Sequence, residues 1–182
     1  MLELNFDPFP VLLTERLIMR KVSMEDIEQM FELRSNPDAM KYINRPLVKS
    51  IDDIKPLLEK MNDNTQRIQW AICFKNHDRV IGTIGYHIIE KDHYRAELGY
   101  MLHPDFWRKG LMNEAIPAVI NYGFNEIRLH SIEARINPAN EASSKILLKH
   151  KFKKEGFFRE SYFFEGVFYD SEIYGLLKAD VY

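Results

Sequence analysis

The sequence predicts an α+β fold, one mixed sheet with helices on its faces, in a single domain spanning residues 1–182. Two observations predict it. Hydrophobic periods of two and of 3.6 residues alternate along the chain, and no low-complexity linker or internal repeat divides it. With 182 residues, 46% hydrophobic and 29% charged, the chain can bury a core without disulfides.

Each element has its own signal. Residues 14–21 set Leu17 and Met19 against Ile18 in strand alternation. Ser23 with Asp26 three residues on makes a capping-box start, and Ile27, Met30, Phe31 and Leu33 recur at helical spacing as far as Asn36-Pro37. A second helical stripe begins at Ser50 and contains Ile51, Ile54, Leu57, Leu58 and Met61. Pro56 falls in its second turn and is expected to weaken or kink it. From Gln69 the period drops to two. Residues 69–74, a turn at 76–78 and residues 80–89 predict a hairpin, with Gly82 and Gly85 marking a bulge or a close backbone approach. After a turn at 91–93 come a strand over 96–102, a helix over about 110–125, a strand over 131–136 and a helix over 142–150. Pro117 should kink the longer helix. The end is aromatic and β-like: 152–158, 162–164, a turn at Glu165-Gly166, and 168–177. The order is βαα, three strands, α, β, α and two strands.

A formal net charge of −2 argues against a global field for nucleic acid or anionic membranes, and neither is expected as a partner. No stretch is long and apolar enough to span a bilayer. The first 13 residues carry Glu3, Asp7 and two prolines and do not read as a signal peptide. The one cysteine, Cys73, lies in Ala71-Ile72-Cys73-Phe74 and reads as a buried filler, so a reducing cytoplasm is the expected compartment. No second His or Cys stands at ligand spacing from His130, and no metal is expected. His87 and His93 read as surface residues of a hairpin, and the aromatics of residues 157–169 as core or cross-strand pairs.

The chemistry-bearing stretch runs from Glu97 to Ser143. Glu97-Leu98-Gly99-Tyr100-Met101-Leu102 is a strand, and His103-Pro104-Asp105-Phe106-Trp107-Arg108-Lys109-Gly110 is the loop into the next helix. Such a junction offers unpaired N–H groups and the positive end of a helix dipole to a pyrophosphate. Gly110 removes the Cβ that would stand in the way, and Arg108 and Lys109 add positive charge. The run is neither GxGxxG nor GxxxxGK[ST], so dinucleotide and Walker readings lack their residues. A second junction, Asn137-Pro138-Ala139-Asn140-Glu141-Ala142-Ser143, opens the following helix. There Asn140 is either its N-cap or a partner for an amide of a ligand.

Together these junctions resemble the GNAT superfamily of N-acetyltransferases, in particular the branch that acetylates ribosomal-protein N-termini. The resemblance covers nearly the whole chain. Thr14-Glu15-Arg16-Leu17-Ile18-Met19-Arg20 is similar to that branch's opening strand, Glu25-Asp26 to its first helix, and Ala96-Glu97-Leu98-Gly99-Tyr100 to its central strand. Residues 106–115 resemble its pyrophosphate loop. Residues 137–143, with Phe152 and Glu155-Gly156, resemble its second CoA segment. There are departures: Trp107 and Met112 at the ends of the loop motif, Lys151 for a usual Gly, and Leu147 where many members carry a proton-donating Tyr.

The resemblance implies a mostly antiparallel sheet splayed at its central strands, with acetyl-CoA as co-substrate. It implies direct attack by an amine, without an acyl-enzyme. The cofactor contacts it implies are Tyr100, Met101, Leu102, Trp107, Arg108, Lys109, Gly110, Leu111, Met112, Asn113, Asn137, Asn140 and Ser143. It also implies Glu97 as a base acting through water, Ser143 as a contact or proton donor for the thiolate, and a backbone N–H near Met101 or Leu102 for the oxyanion. Each side chain has a plainer alternative: Glu97 pairing with an arginine, Ser143 bonding its own backbone, and Tyr174, the second candidate acid, filling the core. The run Lys149, His150, Lys151, Lys153, Lys154 reads as a solvated face from which one or two cations could meet a 3′-phosphate. The implied acceptor is a protein or peptide N-terminal amine. A polyamine or other small amine, and a catalytically inactive CoA-binding sensor, are the alternatives. A homodimer is compatible with all three.

Overall fold

A computed structural model describes residues 1–63 and 65–181. The chain opens with β1 (Leu12–Leu13) and β2 (Leu17–Lys21) and continues through helices α1 (Ile27–Ser35), α2 (Pro37–Met40) and α3 (Ile54–Met61). Three strands follow: β3 (Ile68–Phe74), β4 (His77–Glu90) and β5 (Arg95–Leu102). Then come α4 (Leu111–Asn125), β6 (Ser131–Ile136), α5 (Glu141–Lys149), β7 (Lys153–Phe164), β8 (Val167–Leu177) and a last turn, α6 (Lys178–Val181). The strands form one sheet in the order β1-β2-β3-β4-β5-β6-β8-β7. All neighbours are antiparallel except β5 and β6.

That parallel pair decides the architecture. β5 and β6 meet only at Arg95↔Ser131, Ala96↔Ile132 and Glu97↔Glu133. Beyond Glu97, β5 stays with β4 and β6 stays with β8. The sheet therefore opens as a wedge between its two central strands, the splay that the resemblance implied.

Strand alternation divides the core between the two faces. Trp70 and Ile72 pack with Tyr86, Ala115 and Phe124 on the α4 side. Ala71 and Cys73 pack with Met30, Leu33, Ile54 and Leu58 on the α1 and α3 side. Cys73 is a buried filler as read, its thiol pushed up to about 12 by burial. The Ser23–Asp26 capping box forms, and the Asp26 carboxylate also receives Arg20 at 2.8 Å. Both predicted glycine approaches are real: a Cβ on Gly82 would stand 2.4 Å from the Met101 carbonyl, and one on Gly85 2.2 Å from that of Ile68. Among the described residues no helix is long and apolar enough to cross a membrane.

Three expectations need correction. Pro56 does not fall in a second turn, because α3 begins at Ile54 after a separate 3₁₀ turn that leaves Ile51 exposed. In a first turn its missing N–H has no intrahelical partner to lose. His87 is not a surface residue. It is the extra residue of a bulge between the pairs Tyr86↔Leu98 and Ile88↔Glu97, and its Nδ1 meets Gln69 Nε2 at 2.6 Å. The hairpin aromatics are not core: Phe157, Phe158, Tyr162, Phe163 and Phe168 are all exposed. Phe163 and Phe168 do form the expected cross-strand pair, ring centroids 4.8 Å apart, beside a two-residue turn in which Glu165 and Gly166 both take positive φ.

Candidate active site

The loop from β5 into α4 is shaped by its own side chains. The His103 imidazole accepts the Asp105 N–H, and Phe106 packs between the rings of His103 and Phe74. The Trp107 indole donates to the Leu102 carbonyl at 2.7 Å. Arg108 (φ 59) and Gly110 (φ 75) then take left-handed conformations. Among the described residues no side chain caps α4. Among the described residues, no backbone hydrogen bond uses the N–H of Arg108, Lys109 or Gly110. The first turn of the helix adds further free donors and the positive end of its dipole. The product is a nest of N–H groups suited to an anion.

This loop is braced from behind. Glu114 in the first turn of α4 accepts the Arg16 backbone N–H at 2.6 Å, Arg16 Nε at 2.7 Å and the Thr14 hydroxyl. Arg16 Nη1 in turn donates to the Lys109 carbonyl at 3.1 Å. Burial pushes the Glu114 acid up, but these donors outweigh it and hold the group below the usual carboxylate range.

A cavity of about 560 Å³ runs from the nest into the wedge. It is lined by Trp107, Arg108 and Gly110 of the loop, Leu111, Met112 and Asn113 of α4, Tyr100, Met101 and Leu102 of β5, and Asn140 and Ser143 at the start of α5. All the expected cofactor contacts are thus brought together except Lys109 and Asn137. Lys109 lies over the Phe106 ring, and Asn137 accepts the Ala139 N–H inside its own turn. Of the remaining lining, the sequence had offered Phe106 in the loop motif and Lys149 for a 3′-phosphate, and sequence reasoning missed the other residues. Ala142, Lys145 and Ile146 follow helical spacing, a signal that was available. Asp38, Ala39, Tyr42 and Ile43 come from the α2 region, where no local pattern announces them.

Within the wedge, the Tyr100 hydroxyl and Ser143 Oγ stand 2.7 Å apart. Burial pushes the Tyr100 hydroxyl up to about 12, so it keeps its proton across the neutral range. The Ser143 N–H donates to Asn140 Oδ1 at 3.2 Å, which makes Asn140 the N-cap of α5. Leu147 is fully buried and packs in the core. Tyr174 is a core tyrosine, its hydroxyl shared between Glu172 at 2.9 Å and Ser144 at 2.7 Å. Backbone direction also matters here. The His103 N–H reaches the Ile81 carbonyl on β4, so alternation turns the Leu102 N–H to the open side of β5, where Trp107 finds the Leu102 carbonyl.

Glu97 lies on the face of β5 opposite Tyr100, the face it shares with Met101, and does not line the cavity. Its expected alternative does not form either. Arg95 and Arg135 both pair with Glu133, and among the described residues no ion pair includes Glu97. Burial pushes the Glu97 carboxyl above its ordinary range.

A family model described as an acetyltransferase (GNAT) domain matches residues 16–153. A Bacillus subtilis (strain 168) protein named Uncharacterized N-acetyltransferase YoaA is 35% identical over 173 residues, covering 93% of this chain and 98% of that one. The spermidine N(1)-acetyltransferase of Escherichia coli (strain K12) is 24% identical over 139 residues, covering 76% and 73%. Among solved structures, a GNAT-family acetyltransferase from Bacillus anthracis superposes with a TM-score of 0.84 at 27% identity, covering 93% of this chain and 99% of that one.

Proposed function

The chain belongs to the GNAT acetyltransferase family, and on that premise we propose that it transfers the acetyl group of acetyl-CoA directly to an N-terminal amine. The observation that carries the reading is one continuous cavity joining the free donors at Arg108–Gly110 to the Tyr100–Ser143 pair. The donors suit a pyrophosphate. Asn113 Oδ1, buried on the cavity wall without a partner, suits an amide N–H of a pantetheine arm. Lys145 and Lys149 suit further phosphate at the rim.

Acetyl-CoA supplies an acyl carbon already bonded to a good leaving group. The protein's residues then divide three tasks. Glu97 accepts the proton that the attacking amine loses, through water. The Leu102 N–H, rather than that of Met101, faces the charge that builds on the carbonyl oxygen. The Tyr100–Ser143 pair holds a proton for the sulfur as the C–S bond breaks, in the role that Leu147 cannot fill. Roughly a tenth of free α-amines are neutral near pH 7, against well under a thousandth of lysine-type amines. An N-terminal amine therefore makes the smaller demand on Glu97.

Glu97→Gln tests the assignment. Turnover should fall by about a hundredfold or more while the KM for acetyl-CoA holds. Because Glu97 acts ionised and burial raises its pKa, the wild-type rate should climb with pH above the ordinary carboxylate range, and the variant should lose that limb. An identical limb in Glu97→Gln would remove Glu97 from the mechanism.

The polyamine reading is favoured by the carboxylates Glu160, Glu165 and Asp170 on the exposed hairpin, although Asp170 already accepts the Glu160 N–H at 2.8 Å. Thiol release from acetyl-CoA with peptides and polyamines as acceptors separates the two. Thermal stabilisation by acetyl-CoA without release from any amine would leave only the sensor.

A further inference from the structure

One group of charges lies outside the cavity and, among the described residues, forms no ion pair. Arg34 lies in the last turn of α1, Arg67 precedes β3, Arg45 lies on the loop after α2, and His87 occupies the β4 bulge. The loop is tied to α1 by the Val48 N–H, which reaches the Arg34 carbonyl at 3.4 Å. Nε of Arg34 and Nε of Arg67 are both buried with no hydrogen-bond partner. Among the described residues no ion pair includes Arg34, Arg45 or Arg67. Asp63 feels the charge of Arg67, which helps hold its carboxyl below the ordinary range, but its carboxylate accepts the Thr65 hydroxyl at 2.7 Å rather than a guanidinium N–H.

A buried guanidinium N–H without an acceptor is costly, and proteins ordinarily pair it. Burial, with Arg45 nearby, lowers Arg34 to about 10, which still leaves it charged. Burial, with all three arginines, lowers His87 to about 4, so its ring is neutral at pH 7. The Gln69 amide donates to His87 Nδ1, which leaves the proton on Nε2. That nitrogen lies directly over Gly99, where a Cβ would be only 1.9 Å away. The group therefore presents N–H donors and no acceptor.

Its position on the sheet is informative. Alternation puts Arg67 and Gln69 on the same face as Ala71, and puts Glu97 and Gly99 on the same face as Met101, the face that α1 and α3 cover. Glu133, opposite Glu97 on β6, joins them. Glu133 is taken by Arg95 and Arg135, so among the described residues Glu97 is the carboxylate at one end of this face that makes no ion pair. The other end carries Arg34 and Arg67, each with an Nε that has no partner. Neither end is the donor nest, which opens on the cavity.

We propose that Arg34, Arg67 and His87 form a subsite for an anionic group on the acceptor, so that the amine acetylated is zwitterionic, bearing a carboxylate or a phosphate. A polyamine has nothing to offer the arginine end, whereas an acidic amine matches both ends. The inference rests on the acetyl-transfer reading for the fate of the amine but not for the binding of the anion.

Two measurements separate these. The first is thermal stability in saturating CoA, which fills the nest, with and without inorganic phosphate or acetate. The anion should raise the Tm of the wild type, and Arg34→Met and Arg67→Gln should abolish that rise. Without anion, Arg34→Met should melt no lower than the wild type, because it removes a buried N–H that has no partner; an arginine needed only for folding would instead lower it. The second is acetyl transfer to matched pairs: alanine against alaninamide, and 2-aminoethyl phosphate against ethanolamine. The anionic member should be favoured in kcat/KM by about tenfold to a hundredfold, the range of a charge-assisted hydrogen bond, and whichever pair shows the larger ratio identifies the group. Both variants should bring the ratio toward one without changing the KM for acetyl-CoA. Equal or better use of the neutral amines overturns the subsite, as does anion stabilisation that survives in both variants. Anion stabilisation lost in both variants, with no thiol release from any amine, would support the subsite and sink the transfer reading instead.

Discussion

Helices α4 and α5 both start at the cavity after a strand and a short loop, yet their first turns are used differently. At α4, Arg108 and Gly110 in left-handed conformations and the lack of a capping side chain leave the N–H groups open. At α5, Asn140 takes the Ser143 N–H and Asn137 takes that of Ala139, so donors of the same kind are satisfied within the turn. The first start suits an anion. The second is a cap whose service to the site is to hold Ser143 at 2.7 Å from Tyr100. A helix N-terminus is an anion site only where no side chain has claimed its donors.

The hardest blow to this contrast is Gly110→Glu. It places a non-glycine residue at φ 75 and a carboxylate in the nest. Strain of roughly 1–2 kcal/mol and like charge together should weaken CoA by about a hundredfold or more. Wild-type affinity by calorimetry would refute the nest. Next comes Tyr100→Phe, which keeps the ring and removes the hydroxyl that meets Ser143. Turnover should fall by about tenfold to a hundredfold with the KM for acetyl-CoA nearly constant, at the lower end of general-acid effects because Ser143 remains. An unchanged kcat would exclude the pair as proton donor.

Glu114→Gln is gentler. The amide keeps the shape but loses the ion pair with Arg16, whose guanidinium steadies the Lys109 carbonyl. Arg16 is largely exposed, so the KM for acetyl-CoA should rise by no more than about fivefold. A rise beyond that would make the brace a larger contributor to binding than its exposure permits. Asn140→Ala should have the smallest effect on the ligand. It should cost about 1 kcal/mol of stability, the usual cost of an N-cap, and leave CoA affinity intact. The opposite outcome, lost affinity with an unchanged Tm, would make α5 a ligand site like α4.

Much of this contrast was readable in one dimension. The helical stripe Met30–Leu33, the alternation through Trp70–Phe74 and the Gly110 junction are local spacings, and local spacing decides which face a side chain joins. The capping role of Asn140 was visible for the same reason, since its partner lies three residues away. Of the two readings of the aromatics between Phe157 and Phe168, cross-strand pairing holds for Phe163 and Phe168, and the core reading fails because composition cannot say whether a helix covers a hairpin. His87 was misread because its environment depends on a bulge and on Gln69, eighteen residues earlier in the chain.

By itself, then, the sequence determined the order of elements, the wedge-bearing family fold and the backbone cradle at Arg108–Gly110. Tertiary structure alone decided that Tyr100 meets Ser143 across 43 residues, that Leu102 rather than Met101 turns its N–H to the opening, and that Arg34 and Arg67 each bury an Nε without a partner. The physical reason is the range of the forces. Periodicity and capping act within a turn or two of chain, whereas burial and charge pairing depend on what the sheet brings together from distant parts of it.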